Sequence, residues 1–406
     1  MAPRSLYARL LSLVALIGLV ALALAAPALP LSAQEPSPTL PSPGQRLFVP
    51  LINRWRIDTW PFIEVPPEVA EIAYVSAFAH QPIGTLGEIY LTSRSRWITP
   101  LTKPMDGEVG VYPAHLAWSP DGQWLVYSRT PLGVPLSSDL RLLDFSQGVD
   151  AVQPDGIRIT ASPEFEAWPT FSPAGDEVAF VQVRGTTRTL AIIHVVQAIA
   201  GMDPPIRTVE TPGCDPLWPA WSPHREWIAF VSGSALYIVR PDGSGLQQVA
   251  EGAFAERPAW SPDGGSLAYG SERAEVRRGM VDPASGETLR VVACAGSEPD
   301  WSPTGWWIAY SGQTAEGARA IHTVRADGTD ARILTGADGG YIDEDPAWSP
   351  DGLYLAFRRT LLAPSGGEAA GDSSIQVVRM DGTGLVRVSD LGHRTALDHA
   401  WRPTTR

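Results

Sequence analysis

Seven residues each stand three positions before a recurring aromatic: His115, Trp168, Trp218, Arg257, Glu298, Asp345 and Asp398. One histidine, one arginine and three carboxylates at matching offsets can donate, accept and transfer protons, and two tryptophans add flat apolar area. If the repeat is regular in space, the seven ring one opening. Trp168 then stands beside Trp218, Asp345 and Asp398 form an acidic sector, and Arg257 and Glu298 lie between the two sectors. Such a ring suits a peptide segment or a sugar chain. The competing reading is structural, with Trp168 and Trp218 covering the ends of the repeats and the charged members merely solvated. Were the opening catalytic, as in a lyase or hydrolase acting on a polysaccharide, His115 and Arg257 would be the first candidates.

Other chemistry is poorly represented. No Gly-x-Ser-x-Gly nucleophile elbow occurs, and the seven histidines fall in no paired metal spacing. Asp343-Glu344-Asp345 is acidic but lacks a loop of alternating oxygen ligands. Neither a metal nor a cofactor is expected. The formal charge of −13 is spread without a basic run, which argues against a sequence-independent grip on nucleic acid.

The elements that would position the ring are announced by the aromatics themselves. Trp118, Phe171, Trp221, Trp260, Trp301 and Trp348 are each followed by Ser-Pro, and Trp401-Arg402-Pro403 is a degenerate seventh copy. They recur every 39 to 53 residues, the period of four-stranded propeller blades. Behind the first six lies a short β run: Trp124 to Tyr127, Val178 to Phe180, Ile228 to Phe230, Leu267 to Tyr269, Ile308 to Tyr310 and Leu355 to Phe357. Ser, Pro, Asp and Gly suit a tight hairpin with Pro second and Gly left-handed. The aromatic just before it supplies a wedge between blades that cannot bury their own faces. Asp242-Gly243, Asp327-Gly328 and Asp381-Gly382 mark a later hairpin in three of the units.

These motifs resemble the WD40-like propeller repeat of the TolB family, with its Trp-Ser-Pro-Asp-Gly turn, Ile-Ala-Phe strand and later Asp-Gly hairpin. The likeness runs from about residue 69 to 406. Two departures stand out: there is no room before residue 69 for the α/β domain of TolB itself, and one copy reads His224-Arg225-Glu226 in place of Asp-Gly.

The expected fold is all-β, a propeller of seven blades with four antiparallel strands each. Ile72 to Val75 is a strand without an anchor and Trp401 an anchor without a strand, so the two termini complete one blade. Six blades with a stray C-terminal strand is the alternative. Upstream, Arg4 and Arg9 precede the apolar run Leu10 to Ala26, which makes residues 1–33 a signal peptide or an uncleaved signal anchor. Residues 34–68 read as a Pro-rich linker and 69–406 as the propeller. Cys214 and Cys294 occupy matching places two blades apart, too far for a disulfide, so both thiols are expected to be free. Turns after first and third strands are trimmed, whereas the opposite face carries the linkers and the long segments His80 to Gly87, Arg129 to Asp139 and Arg358 to Ser374. The functional expectation is an extracytoplasmic, non-enzymatic, monomeric propeller that binds a protein, peptide or envelope glycan through that face. A channel enzyme is the runner-up.

Overall fold

The structure is a computed structural model describing residues 71–403 apart from 79–86, 93–97, 103–107, 112–115, 132–136, 203–204, 225, 254–255, 272–274, 281–289, 295, 316, 337–339, 363–367 and 390–393. Signal segment, linker and His115 therefore lie outside the described residues.

The Ser-Pro turns show why the motif repeats. In the first, the N–H of Gly122 donates to the Ser119 carbonyl at 2.8 Å with Gly122 at φ 67°, and the N–H of Trp124 donates to Ser119 Oγ at 2.9 Å. The buried hydroxyl thus closes the hairpin from inside. Ser172, Ser261, Ser302 and Ser349 do the same at 2.9 to 3.2 Å. The divergent copy keeps the clasp without the Asp-Gly pair, since Trp227 N–H donates to Ser222 Oγ at 3.1 Å.

Seven units result: four are separate four-stranded sheets, one is five-stranded because Glu108–Val111 also pairs with its second strand, and two are joined into an eight-stranded sheet by a single parallel bridge, Arg319 to Ile342. The first strands of six run through Ala117–Trp118, Phe165–Phe171, Leu217–Trp221, Ala259–Trp260, Gly296–Trp301 and Tyr341–Trp348. Each pairs antiparallel with the strand after its turn: Trp124–Pro131, Glu177–Arg184, Ile228–Ser232, Ser266–Gly270, Trp307–Gln313 and Tyr354–Leu362. In the seventh, Arg394–Trp401 is the first strand and Ile72–Phe78 the second, paired from Ile72 opposite Trp401 to Phe78 opposite Arg394. Glu88–Thr92 and Ile98–Pro100 complete it. First strands are sheet edges, except that Tyr341–Trp348 makes one parallel bridge, Ile342 to Arg319, and they contact one another in chain order, with Arg394–Trp401 touching Ala117–Trp118. They therefore line the centre.

The core lies in layers between blades. Trp348 packs with Ala309 and Ile321 of the preceding blade, and Trp260 with Val231 and Leu236. All seven anchors are buried. Three indoles also reach back to the residue before the previous anchor: Trp118 Nε1 to the Ala400 carbonyl at 3.2 Å, Trp260 Nε1 to Ala220 at 2.9 Å and Trp401 Nε1 to Ala347 at 2.9 Å. Wedge and hydrogen bond act together, which fixes the angle between neighbours as well as their distance.

Two expectations need correction. The segment Arg358 to Ser374 is not a loop but mostly two long strands, Tyr354–Leu362 and Glu368–Arg379, because Arg359 turns inward and forms a bidentate pair with buried Asp343 at 2.7 Å. Most of the described ring residues lie inside first strands instead of in linkers. A short helix, Val195–Ile199, follows the third strand of the second blade.

Candidate functional site

The ring begins with a backbone anomaly. Trp168, Trp218, Glu298 and Asp345 have φ of 54°, 58°, 55° and 55°, and Asp330 is the only other non-glycine residue with positive φ among the described residues. Each of the four precedes a proline: Pro169, Pro219, Pro299 and Pro346. Proline offers no N–H to the ladder, so the strand bulges, and in all four blades the pairing register slips there. A left-handed tryptophan or carboxylate costs about 1–3 kcal/mol, so four in equivalent places are a costly, repeated device. Asp398 sits at the matching slip in the seventh blade, with His399 where the others have proline. Arg257, before Pro258, lies two residues ahead of its blade's short first strand and is exposed.

The rings of Trp168 and Trp218 lie 5.2 Å apart at 37°, the side-by-side arrangement their offsets imply. The acidic residues do something else: they tie blade to blade. Glu256 Oε2 accepts the N–H of Glu298 at 2.7 Å, Glu298 Oε2 that of Asp345 at 3.1 Å, and Asp398 Oδ2 that of Leu116 at 2.7 Å. Glu256 and Glu298 thus hold the bulge of the next blade, and Asp398 holds the residue just before the first blade's Ala117–Trp118 strand. Asp300 does the same for the anchor itself, accepting from Trp348 N–H at 2.8 Å. Two arginines balance the charge. Arg358 reaches Asp345 Oδ2 at 3.0 Å and Glu344 Oε2 at 2.9 Å, while Arg319 reaches Glu344 Oε1 and Ser297 Oγ, both at 2.6 Å, and lies 3.7 Å from Glu298.

This crowding shifts proton affinities. Burial raises the Glu298 carboxyl well above the usual range, reinforced by Asp345, Glu256 and Glu344 and opposed by Arg319. Burial also lifts Asp398 to about 6, against the Leu116 N–H and the charge of Arg257, and depresses the His399 imidazole to about 4. Asp345 acts on Asp398, which places the expected acidic pair within electrostatic reach of each other. Arg257 acts on Asp300, Asp398 and His399, so its charge is felt across the opening.

Sequence reading missed Glu256, Asp300, Arg319, Glu344, Arg358 and His399. Glu256 and Glu344 directly precede ring positions, a signal that could have been used. Arg319 and Arg358 enter from third and second strands, where nothing local marks them. Among the described residues no group of three His, Cys, Asp or Glu is arranged to hold a metal ion, and no helix is long and apolar enough to cross a membrane.

The seven anchored blades and their bulged inner strands agree with a match of residues 149–405 to the family model PD40, the TolB beta propeller domain. The chain belongs to the TolB beta-propeller family. Among solved structures it is similar to TolB from Acinetobacter baumannii, at 12% identity and TM-score 0.49 over 80% of this chain and 81% of that one. An oligogalacturonate lyase in complex with manganese aligns at 14% identity and TM-score 0.53, over 80% and 92%. A second oligogalacturonate lyase, from Vibrio parahaemolyticus, aligns at 12% and 0.45, over 69% and 74%. Identities this low show the fold alone. No curated protein sequence matches the chain.

Proposed function

We propose that this TolB-family propeller is an extracytoplasmic binding protein that captures an extended peptide segment of an envelope partner at the mouth of its channel. Trp168, Trp218 and Arg257 make the contact, and Glu298, Asp345 and Asp398 brace other sectors of the same ring through Asp345 N–H, Arg358 and Leu116 N–H. The observation carrying this reading is the left-handed X-Pro bulge at four equivalent positions, since strain kept at one level of a rigid scaffold is the mark of a positioned site. A rigid aromatic pair gives apolar area at little entropic cost, and an adjacent arc of carboxylates and arginine supplies partners for charged side chains and backbone groups. Residues 1–33 export the chain in this account, and 34–68 tether it.

The test is photo-crosslinking in the producing cell. A photoreactive residue at Arg257 should yield a discrete envelope-protein adduct, whereas one at Asp121, in a trimmed turn on the other face, should not. Equal labelling from both positions would contradict the proposal.

A further inference from the structure

The trimmed face is not uniform. The residue following the turn glycine, or the residue in its place, is Gln123, Asp176, Glu226 and Gly265 in the first four blades, but Trp306 and Leu353 in the fifth and sixth. Both are exposed, Trp306 at 65% and Leu353 at 54%. The repeat acts as its own control, because the same turn in four other blades needs no apolar side chain there. Trp306 and Leu353 flank a cleft of about 450 Å³, within the range of small-ligand sites. Met380, Thr304, Arg325 and Asp351 complete its walls. All come from turns after first strands or from the ends of third strands, so the cleft opens on the face opposite the X-Pro ring.

Its polar groups are of both signs and are held in place. The Arg325 guanidinium lies 5.1 Å from the centre of the Trp307 ring, which also carries Arg332 at 4.9 Å. Asp351 Oδ1 accepts the N–H of Leu353 at 3.0 Å and the Ser349 hydroxyl at 2.6 Å, which fixes the carboxylate at the wall of the cleft. Thr304 puts a neutral hydroxyl, 3.0 Å from Ser302 Oγ, where three other turns carry an aspartate.

We infer that this cleft is a saccharide site in which Trp306 is the platform for a pyranose ring, Arg325 donates to ring hydroxyls and Asp351 accepts from them. A sugar has one apolar C–H face and a rim of groups that both donate and accept. An exposed indole flanked by one fixed donor and one fixed acceptor complements that pattern, whereas a ligand of single charge would meet its like on one wall. Apolar Leu353 and Met380 set the width of the slot.

The test is calorimetric titration of the parent with an array of defined neutral oligosaccharides, fragments of glucan, chitin, mannan and galactan of two to six units. At least one class should bind, and Trp306→Ala and Asp351→Asn should each weaken it about tenfold or more, while Trp168→Ala should leave it unchanged. No binding at millimolar sugar, or binding that survives Trp306→Ala, would overturn the inference. So would a concentration-dependent dimer abolished by Trp306→Ala in a protein that binds no sugar, because the patch would then join two copies of the chain.

Discussion

The indole of Trp401, in the last described strand, donates to the carbonyl oxygen of Ala347 at 2.9 Å, tying the C-terminal anchor to the sixth blade. The same strand pairs along Ile72–Phe78, accepts from Trp118 Nε1 at Ala400 and leads into Arg402, which meets Glu71 Oε2 at 2.5 Å. Removing residues 396–406 therefore deletes a wedge and exposes the edge of Ile72–Phe78. Burial of Trp401 alone is worth about 3–5 kcal/mol. Calorimetry should show a much lower melting temperature or aggregation. A truncated protein that melts like the parent would mean that the termini do not complete a blade.

The hairpin clasp can be tested separately from binding. Ser349 Oγ accepts the N–H of Tyr354 at 2.9 Å while almost wholly enclosed, so Ser349→Ala leaves a buried donor unmet. We expect a loss of about 1–3 kcal/mol in urea denaturation. Asp121→Ala, which removes the acceptor of Gln123 N–H, should cost less because that site is exposed. Neither variant should alter capture of the envelope partner.

Asp398 and His399 are neighbours whose proton affinities burial moves in opposite directions, to about 6 and about 4. Native Asp398 keeps a proton that the unfolded chain releases, so its contribution to stability is complete below about pH 4 and is lost as pH rises through 6. Native His399 refuses a proton that the unfolded chain takes, so its contribution is present above about pH 6.5 and is lost as pH falls through 4. Between these limits the two slopes oppose each other. Relative to the parent, Asp398→Asn should gain stability as pH rises from about 4 to 6, and His399→Gln should lose it from about 4 to 6.5. Denaturation midpoints across that range give the slopes, and profiles parallel to the parent would refute the assignment.

The Cys214 thiol is free, and burial pushes its pKa upward, partly offset by Ser232. It should react slowly with a thiol reagent in the native protein and rapidly in denaturant. The side chain of Cys294 lies outside the described residues, so the expectation of two free thiols rests on blade spacing. Two equivalents titrated from denatured, unreduced protein would support it, and none would contradict it.

Much of the fold was legible because one device recurs. Trp-Ser-Pro fixes an anchor, a clasp and a turn within five residues, and Ile72 and Trp401 carried complementary halves of that text. Ring positions were legible from their offset to the anchors, but their conformation was not. Nothing in Trp168-Pro169 announces a left-handed tryptophan, since the bulge arises only when the proline meets a ladder that needs an N–H. The blade-to-blade carboxylate bonds were equally hidden, as Glu256 meets Glu298 N–H only after two sheets have packed. Arg358 and Arg359 were read as the start of a long loop segment, whereas both lie in Tyr354–Leu362 and are paired with carboxylates of the adjoining strand.

The most direct test of the account uses Trp168→Ala and Trp218→Ala, each measured twice. Melting temperature and capture from a solubilised envelope extract are recorded on the same preparation, with the parent as reference. Alanine keeps the left-handed backbone, and the two half-buried rings lose little beyond their mutual contact, so melting should shift only slightly. Capture should weaken by about 2 kcal/mol or more, roughly thirtyfold in affinity. If both variants unfold readily while the folded fraction captures the same partners as the parent, the tryptophans are structural covers and the channel mouth is not the binding site.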